Sequence, residues 1–346
     1  MTGQTTKLRF GVIGQGHIGK RHAEMIRRNP FCELIAVCDV LSPEKTDSTG
    51  IAESYYSSAQ EMLEAHPEID IVNVCTPNGL HAEHALSALK HHKHVVCEKP
   101  MALSTKDCQA IIDQSKLVGK EVFCVMQNRF SPPSVWLKEL VDSQTLGEIH
   151  LVQLNCYWNR DDRYYKKDGW KGKQSLDGGT LFTQFSHFID LLYWIFGDLK
   201  NISGRFKDFN HKDLTDFEDS GLVTFDLVNN NGMGCINYST AVHDTNLESS
   251  ITVIGSLGSV KVGGQYMDKV EYCHIKDYTL PTLQPTSPAN DYGTHKGSAN
   301  NHHFVIQNVV ETLTGISQAS TKAIEGLHVV DIIARIYSLR NSNLKS

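Results

Sequence analysis

The sequence predicts an α/β chain in two parts. A doubly wound parallel sheet occupies residues 1–127, and an α+β half with a large, mostly antiparallel open sheet occupies 128–346. Three observations predict this. Apolar strand-like runs alternate with amphipathic helices from Leu8 to Val125. Around Gln127-Asn128-Arg129-Phe130 the alternation stops, and longer polar–apolar strands begin at Ile149. A chain of 346 residues is also too long for one ordinary core.

The first strand, Leu8 to Ile13, is mostly apolar, as a sheet covered on both faces requires. It runs into Gly14-x-Gly16-x-x-Gly19, with an amphipathic helix behind. Gly14 permits the tight turn, Gly16 lets the backbone approach a pyrophosphate, and Gly19 lets helix and strand pack closely. The phosphates would sit on the unpaired N–H groups and positive dipole end of that helix. A second run, Glu33 to Asp39, ends in an acid twenty positions after Gly19, where a carboxylate accepts hydrogen bonds from an adenine ribose. Strand, glycines, helix and acid in this order predict a Rossmann dinucleotide-binding unit. Val40-Leu41 in place of a basic residue favours NAD over NADP.

Tyr55-Tyr56 reads as a short strand, and Ser58-x-x-Glu61 as a capping box opening a helix that Pro67 ends. Ile69 to Cys75 is the next buried strand, followed by the loop Thr76-Pro77-Asn78-Gly79 and a helix to about His91. His94-Val-Val-Cys97 leads into Glu98-Lys99-Pro100. Ser104-x-x-Asp107 opens a helix that Gly119 closes, and Val122 to Val125 is a further strand.

In the second half a helix carrying Trp136, Leu137 and Leu140 precedes the strand Ile149 to Tyr157. Asp219 to Leu227 and Met233 to Val242 flank Asn229-Asn-Asn-Gly232, a hairpin signal. Glu248 to Ile254, Ser259 to Val262 and Val270 to Ile275 continue the set, and Asp277 to Ser298 reads as a long loop. Helices over about 301–313 and 322–339 close the chain.

A formal net charge of −6 gives no reason to expect nucleic acid or an anionic membrane as partner. No run approaches the ~20 apolar residues of a membrane span. No signal-peptide pattern opens the sequence, so a cytoplasmic location is expected. The nine cysteines form no C-x-x-C pair and read as reduced core thiols. Seventeen histidines show no metal-ligand spacing, so no metal is expected, and His91-His92-Lys-His94 reads as a solvated turn.

Two constellations can do chemistry. Lys99 follows a buried strand directly, so its ammonium should point into the cofactor cleft, where the positive nicotinamide eases loss of its proton. A cis Lys99–Pro100 bond would fix its direction. Gly178-Gly179 opens a helix on which Thr183, His187, Asp190 and Trp194 share a face. A polar stripe on a buried helix needs partners or a wet pocket, and histidine suits removal of an alcohol proton. A hydrogen-bonded His187–Asp190 pair is the purely structural alternative. Together these residues describe alcohol oxidation, with hydride leaving a carbinol carbon as Lys99 or His187 takes the hydroxyl proton.

On Gly14-x-Gly16-x-x-Gly19, Asp39, Cys-Thr-Pro-Asn78 with His81, Glu98-Lys99-Pro100, and Gly178-Gly179 leading to His187-x-x-Asp190, the chain resembles the Gfo/Idh/MocA oxidoreductases. The resemblance implies NAD-dependent oxidation of a sugar or cyclitol hydroxyl, with Lys99 and His187 as acid–base groups. It also implies cofactor contacts from Gly14, Gly16, His17, Ile18, Asp39, Thr76, Asn78, His81, Glu98, Lys99 and Asn128. Where the family has an Asp one helical turn before the histidine, this chain has Thr183. Thr183-Gln184-x-x-His187, Asn159-Arg160-x-x-Arg163-Tyr164-Tyr165 and Lys296-Gly-Ser-Ala-x-Asn301 look like UDP-N-acetylglucosaminuronate 3-dehydrogenases of lipopolysaccharide sugar synthesis. That resemblance implies a UDP-sugar substrate held by Lys99, Asn128, Arg160, Arg163, Thr183, Gln184, His187, Lys296 and Asn301. Arginine forks suit its carboxylate and phosphates. The competing expectations are a free sugar or inositol as substrate, and a non-catalytic NAD-binding regulator. A homo-oligomer, dimer or tetramer, is expected through the open sheet.

Overall fold

The computed structural model describes residues 7–229, 231–293 and 295–342. The chain divides into two compact units. The first comprises the residues up to Met126 with His302–Val330, and the second Gln127–Asn301 with the residues from Asp331. The chain passes from the first unit to the second after Met126, returns at His302 and crosses again after Val330. Return of the helix His302–Leu313 to the first unit has a local cause: Asn29 donates to Gln307 at 3.1 Å, and His302 faces Glu98 at 3.5 Å.

The first unit is built on β1 (Leu8–Ile13), β2 (Cys32–Cys38), β3 (Ser54–Tyr56), β4 (Ile71–Val74), β5 (His94–Cys97) and β6 (Val122–Cys124). The pairings among these six strands are parallel, in the order β3-β2-β1-β4-β5-β6. The order reverses between β1 and β4, which opens a crevice beyond their carboxyl ends. Phe10, Val12, Val72, Val95 and Val96 are fully buried, as expected of strands covered on both faces. Ser58 caps its helix by accepting the Glu61 N–H, and Ser104 does the same for Asp107. Lys93 was expected in a solvated turn. It is buried, and its Nζ is satisfied by donating to the Pro67 carbonyl at 2.6 Å.

The second unit carries β7 (Ile149–Tyr157), β8 (Leu199–Lys207), β9 (Ser220–Leu227), β10 (Met233–Ser239), β11 (Glu248–Gly255), β12 (Gly258–Gly263) and β13 (Lys269–Ile275). Their order is β13-β12-β11-β7-β10-β9-β8, antiparallel except for the β7–β10 pair. The sequence reading lacks β8, an edge strand with mostly exposed or half-exposed residues and little apolar alternation. Asn230 of the expected Asn-Asn-Gly turn lies outside the described residues, while the flanking strands pair as that signal requires. The long 277–298 loop contains a short hairpin, β14 (Ala289–Asp291) with β15 (Lys296–Ala299). One sheet face buries Val152, Leu154, Phe225, Ile236 and Val253. On the other, Met233, Leu151 and Ile254 are cross-strand neighbours, with Met233 57% and Ile254 42% exposed.

Candidate active site

In the first unit the three glycines meet the three demands separately. Gly14 has φ +95°, and a Cβ there would lie 2.5 Å from the Cys75 carbonyl oxygen. A Cβ on Gly19 would lie 1.8 Å from the Gly14 carbonyl oxygen, whereas one on Gly16 would meet nothing within 4 Å. Gly16 thus leaves a cradle that a side chain would fill, at the start of the helix His17–Arg28. That helix has no acidic residue in its first turn to oppose an anion. His17 is exposed and Ile18 half-buried at the same end. Asp39 directly follows β2, and its carboxylate accepts the Gln15 and Leu41 N–H groups at 2.7 and 2.9 Å. Thr76 Oγ1, beyond β4, is buried without a hydrogen-bond partner. The residues present fit a dinucleotide.

Behind this edge lies a buried polar network. The Lys99–Pro100 peptide is cis, and Lys99 is half-buried. His81 sets Nδ1 against the Pro100 carbonyl at 2.7 Å and Nε2 against that of Thr76 at 2.9 Å, joining the two loops. Both its ring nitrogens are therefore engaged by main chain, and burial lowers its pKa. Asn78 is also buried. Glu98 does not face outward. Its Oε1 lies 2.8 Å from His22 Nε2, and its Oε2 accepts the Lys99 N–H at 3.2 Å. Burial alone would raise the Glu98 carboxyl; hydrogen bonding to His22 and His302 holds it well below the usual range. His22, Glu98 and His302 resemble a metal-ligand set, but the 2.8 Å contact is of hydrogen-bond length. No sequence motif linked them, since the three lie on separate elements.

In the second unit Gly178 and Gly179, at φ +88° and +128°, turn the chain from the short helix Gln174–Asp177. A Cβ on Gly179 would lie 2.7 Å from Tyr337 Oη, which accepts the Leu181 N–H at 2.7 Å. The next turn, Leu181–Phe185, is a π-helix, and Ser186–Phe196 continues as α-helix. Such π turns recur at functional sites. Thr183 donates to Asp177. His187 Nε2 lies 3.2 Å from Gln127 Nε2. Asp190 is held by Arg129 through Nε at 2.8 Å and Nη2 at 2.6 Å, and Arg129 lies over the Trp194 ring.

The arginine loop joins the same helix. Arg160 is 2% exposed, and its Nε donates to Gln184 Oε1 at 2.7 Å; Gln184 Nε2 donates to Tyr164 Oη at 2.8 Å. The other Arg160 hydrogen bonds end on the Asn159 carbonyl, Asn246 Oδ1 and the Lys296 carbonyl, all neutral oxygens. Lys171 Nζ stands 3.7 Å from the Tyr164 ring centre, and burial pushes its pKa down to about 8. A cavity of about 300 Å³ is lined by Arg160, Asn159, Arg163 and His211 among others.

Three of the residues expected to contact anions have partners within the protein. Arg163 directs its fork at Asp161 and Asp244, which neutralise it. Asn301 Nδ2 donates to the Gln127 carbonyl and Ser131 Oγ at 3.2 and 3.0 Å, fixing the 127–131 turn. Lys296 contributes its carbonyl to Arg160 and Asn246, with an exposed side chain. Asn128 Oδ1 accepts from Ser298 Oγ at 2.5 Å, while its buried Nδ2 has no partner.

Residues 8–125 match the oxidoreductase family with NAD-binding Rossmann fold, and residues 135–261 match the GFO/IDH/MocA C-terminal domain. Curated relatives include a myo-inositol 2-dehydrogenase of Thermotoga maritima, 30% identical over 194 residues, 55% of each chain. A D-glucoside 3-dehydrogenase of Escherichia coli is 31% identical over 202 residues, 56% of this chain and 55% of that one. The chain thus spans about half the length of these curated relatives. Among solved structures, the WlbA dehydrogenase of Bordetella pertussis, in complex with NADH and UDP-GlcNAcA, is similar at TM-score 0.84 and 29% identity over 97% of both chains. That of Chromobacterium violaceum, with the same two ligands, gives 0.85 and 28% over 98% of this chain and 95% of that one. With both matched domains in sequence order and a like structure over nearly its full length, the chain belongs to the Gfo/Idh/MocA oxidoreductase family.

Proposed function

We propose that this chain is an NAD-dependent dehydrogenase that oxidises the C3 hydroxyl of a UDP-N-acetylhexosaminuronic acid to the 3-keto sugar. The reading is carried by likeness, over nearly the whole length, to two proteins solved with NADH and UDP-GlcNAcA. Arg160 supports it physically. A buried guanidinium whose hydrogen bonds end on neutral oxygens, with Lys171 nearby, favours an anionic ligand.

In this reading the Gly14–Gly16 turn and the helix N-terminus hold the pyrophosphate, Asp39 the adenine ribose, and Thr76 the far end of the cofactor. When bound, NAD⁺ supplies the hydride acceptor. Lys99 and His187 are the acid–base groups, one removing the hydroxyl proton. His81 and Glu98 are positioning residues that fix the loops around Lys99. Asn128 Nδ2, Gln184 and Thr183 offer polar contacts to the sugar. The reaction belongs to lipopolysaccharide sugar synthesis in the cytoplasm, and the enzyme assembles as a homo-oligomer through the Met233–Leu151–Ile254 face. Incubation with NAD⁺ and UDP-GlcNAcA followed by ¹³C NMR tests the chemistry. A keto carbon at C3 is expected, and oxidation at any other carbon overturns the assignment.

A second reading, oxidation of a free cyclitol or glucoside, is favoured by the names of the curated relatives. It predicts turnover of myo-inositol or a simple glucoside without a nucleotide.

A further inference from the structure

One buried carboxylate is tied to the His187 helix through Thr183. Asp177, 1% exposed, ends the short helix Gln174–Asp177. Gly178 and Gly179 reverse the chain at once, so that the π turn brings Thr183 back over it. Thr183 Oγ1 donates to the Asp177 carboxylate Oδ1, and lies 2.9 Å from the Asp177 carbonyl oxygen. The second carboxylate oxygen accepts the Gly172 N–H at 2.8 Å.

A threonine hydroxyl has one proton and two lone pairs. Both Asp177 oxygens that face Oγ1 can only accept while the carboxylate is ionised, so that proton is directed at Asp177. Toward any further group Thr183 Oγ1 is then an acceptor. Thr183 stands one turn before His187 on the same side of the helix. At 9% it is the most exposed residue of the stretch 180–192. A hydroxyl presented beside His187 with its proton turned away suits one ligand group in particular, an alcohol O–H.

We propose that Asp177 is a positioning residue for the substrate: it fixes Thr183 Oγ1 as the acceptor for a sugar hydroxyl on the His187 side of the helix. The inference rests on the sugar-oxidising reading above, though not on the uronate. Burial disfavours the ionised Asp177 carboxylate, and the Lys171 charge favours it. An amide at this position could donate to Thr183 as well as accept, and the direction of the threonine proton would no longer be set.

The test compares Asp177→Asn, Thr183→Val, Thr183→Ser and the double variant Asp177→Asn/Thr183→Val. Each is assayed on whichever of UDP-GlcNAcA, myo-inositol and methyl glucoside the wild type oxidises, beside NADH affinity and Tm. Thr183→Val and Asp177→Asn should each lower kcat on the order of 10-fold, the upper scale of one hydrogen bond between neutral groups. KM should change less, and NADH affinity should stay unchanged. Thr183→Ser should stay within about threefold of wild type, the hydroxyl being kept. The double variant should be no worse than Thr183→Val, because Asp177 acts only through Thr183. Losses that multiply, or an Asp177→Asn enzyme with wild-type kcat, overturn the proposal. If Asp177→Asn does not fold, equal activity of the Val and Ser variants overturns it. A wild type active on myo-inositol but not on UDP-GlcNAcA overturns the substrate reading alone, and one inactive on all three overturns both.

Discussion

Arg129 and Asp190 form a two-pronged ion pair with side chains only 3% and 0% exposed. Asp190, on the polar face of the His187 helix, is thereby a structural group that anchors the helix to the 127–130 turn. Removing one partner strands a buried charge. Asp190→Leu alone is expected to cost roughly 3–5 kcal/mol of unfolding free energy, while Arg129→Met with Asp190→Leu should restore much of it. Urea denaturation of the two variants checks this.

Gly16 and Gly19 should separate binding from stability. A Cβ at Gly19 meets the Gly14 carbonyl oxygen at 1.8 Å, so Gly19→Ala must move the turn and should lower both Tm and NAD affinity. At Gly16 the space is open, so Gly16→Ala should keep the Tm within about 2 °C, the order expected of a surface change. Its NAD affinity should nevertheless fall, since the methyl enters the pyrophosphate cradle. Calorimetric titration with NADH, paired with thermal melts, distinguishes the two.

Much of this was legible because local chemistry dictated it. The strand–glycine–helix–acid series of the first unit, the capping boxes at Ser58 and Ser104, and the 229–232 hairpin all follow from residues close in sequence. The return of His302 to Glu98 was not legible, since an apolar helix face says that it packs but not on what. Arg163 and Arg160 look alike in sequence. Only the fold decides that Asp244 neutralises the first while the second is buried among neutral oxygens. Asp177 carries no local sequence signal, because Thr183 reaches it only through the paired glycines and the π turn.

Asp177 also gives stability a pH dependence. Burial raises its pKa from 3.8 to about 6, against hydrogen bonds from Thr183 and the Gly172 and Gly179 N–H groups; Lys171, Tyr164 and Tyr165 also face it. Between the unfolded and folded values the folded state holds more protons, so unfolding free energy should fall as pH rises from about 4 to 6. The contribution is on the order of 2–3 kcal/mol. Asp177→Asn should flatten that part of the stability–pH curve, and an unchanged slope would count against the burial argument.

The row formed by Met233, Leu151 and Ile254 places apolar side chains on the open face of the sheet. Burial of that face in a homo-oligomer predicts a dimer or tetramer by light scattering. Met233→Asp with Ile254→Lys should shift it toward monomer without loss of the far-UV signal, and a wild-type monomer would contradict the proposed assembly.

The most direct test of the function is NADH absorbance in purified protein given NAD⁺ and either UDP-GlcNAcA or UDP-GlcNAc. Parallel samples contain 2-oxoglutarate, with product detection, in case the cofactor is reoxidised in place. NADH, or 3-keto product with the 2-oxo acid present, should form with the uronate alone and fall sharply in Arg160→Met. Equal turnover of UDP-GlcNAc, or none with either nucleotide sugar while myo-inositol is oxidised, would contradict an anionic nucleotide sugar as the substrate.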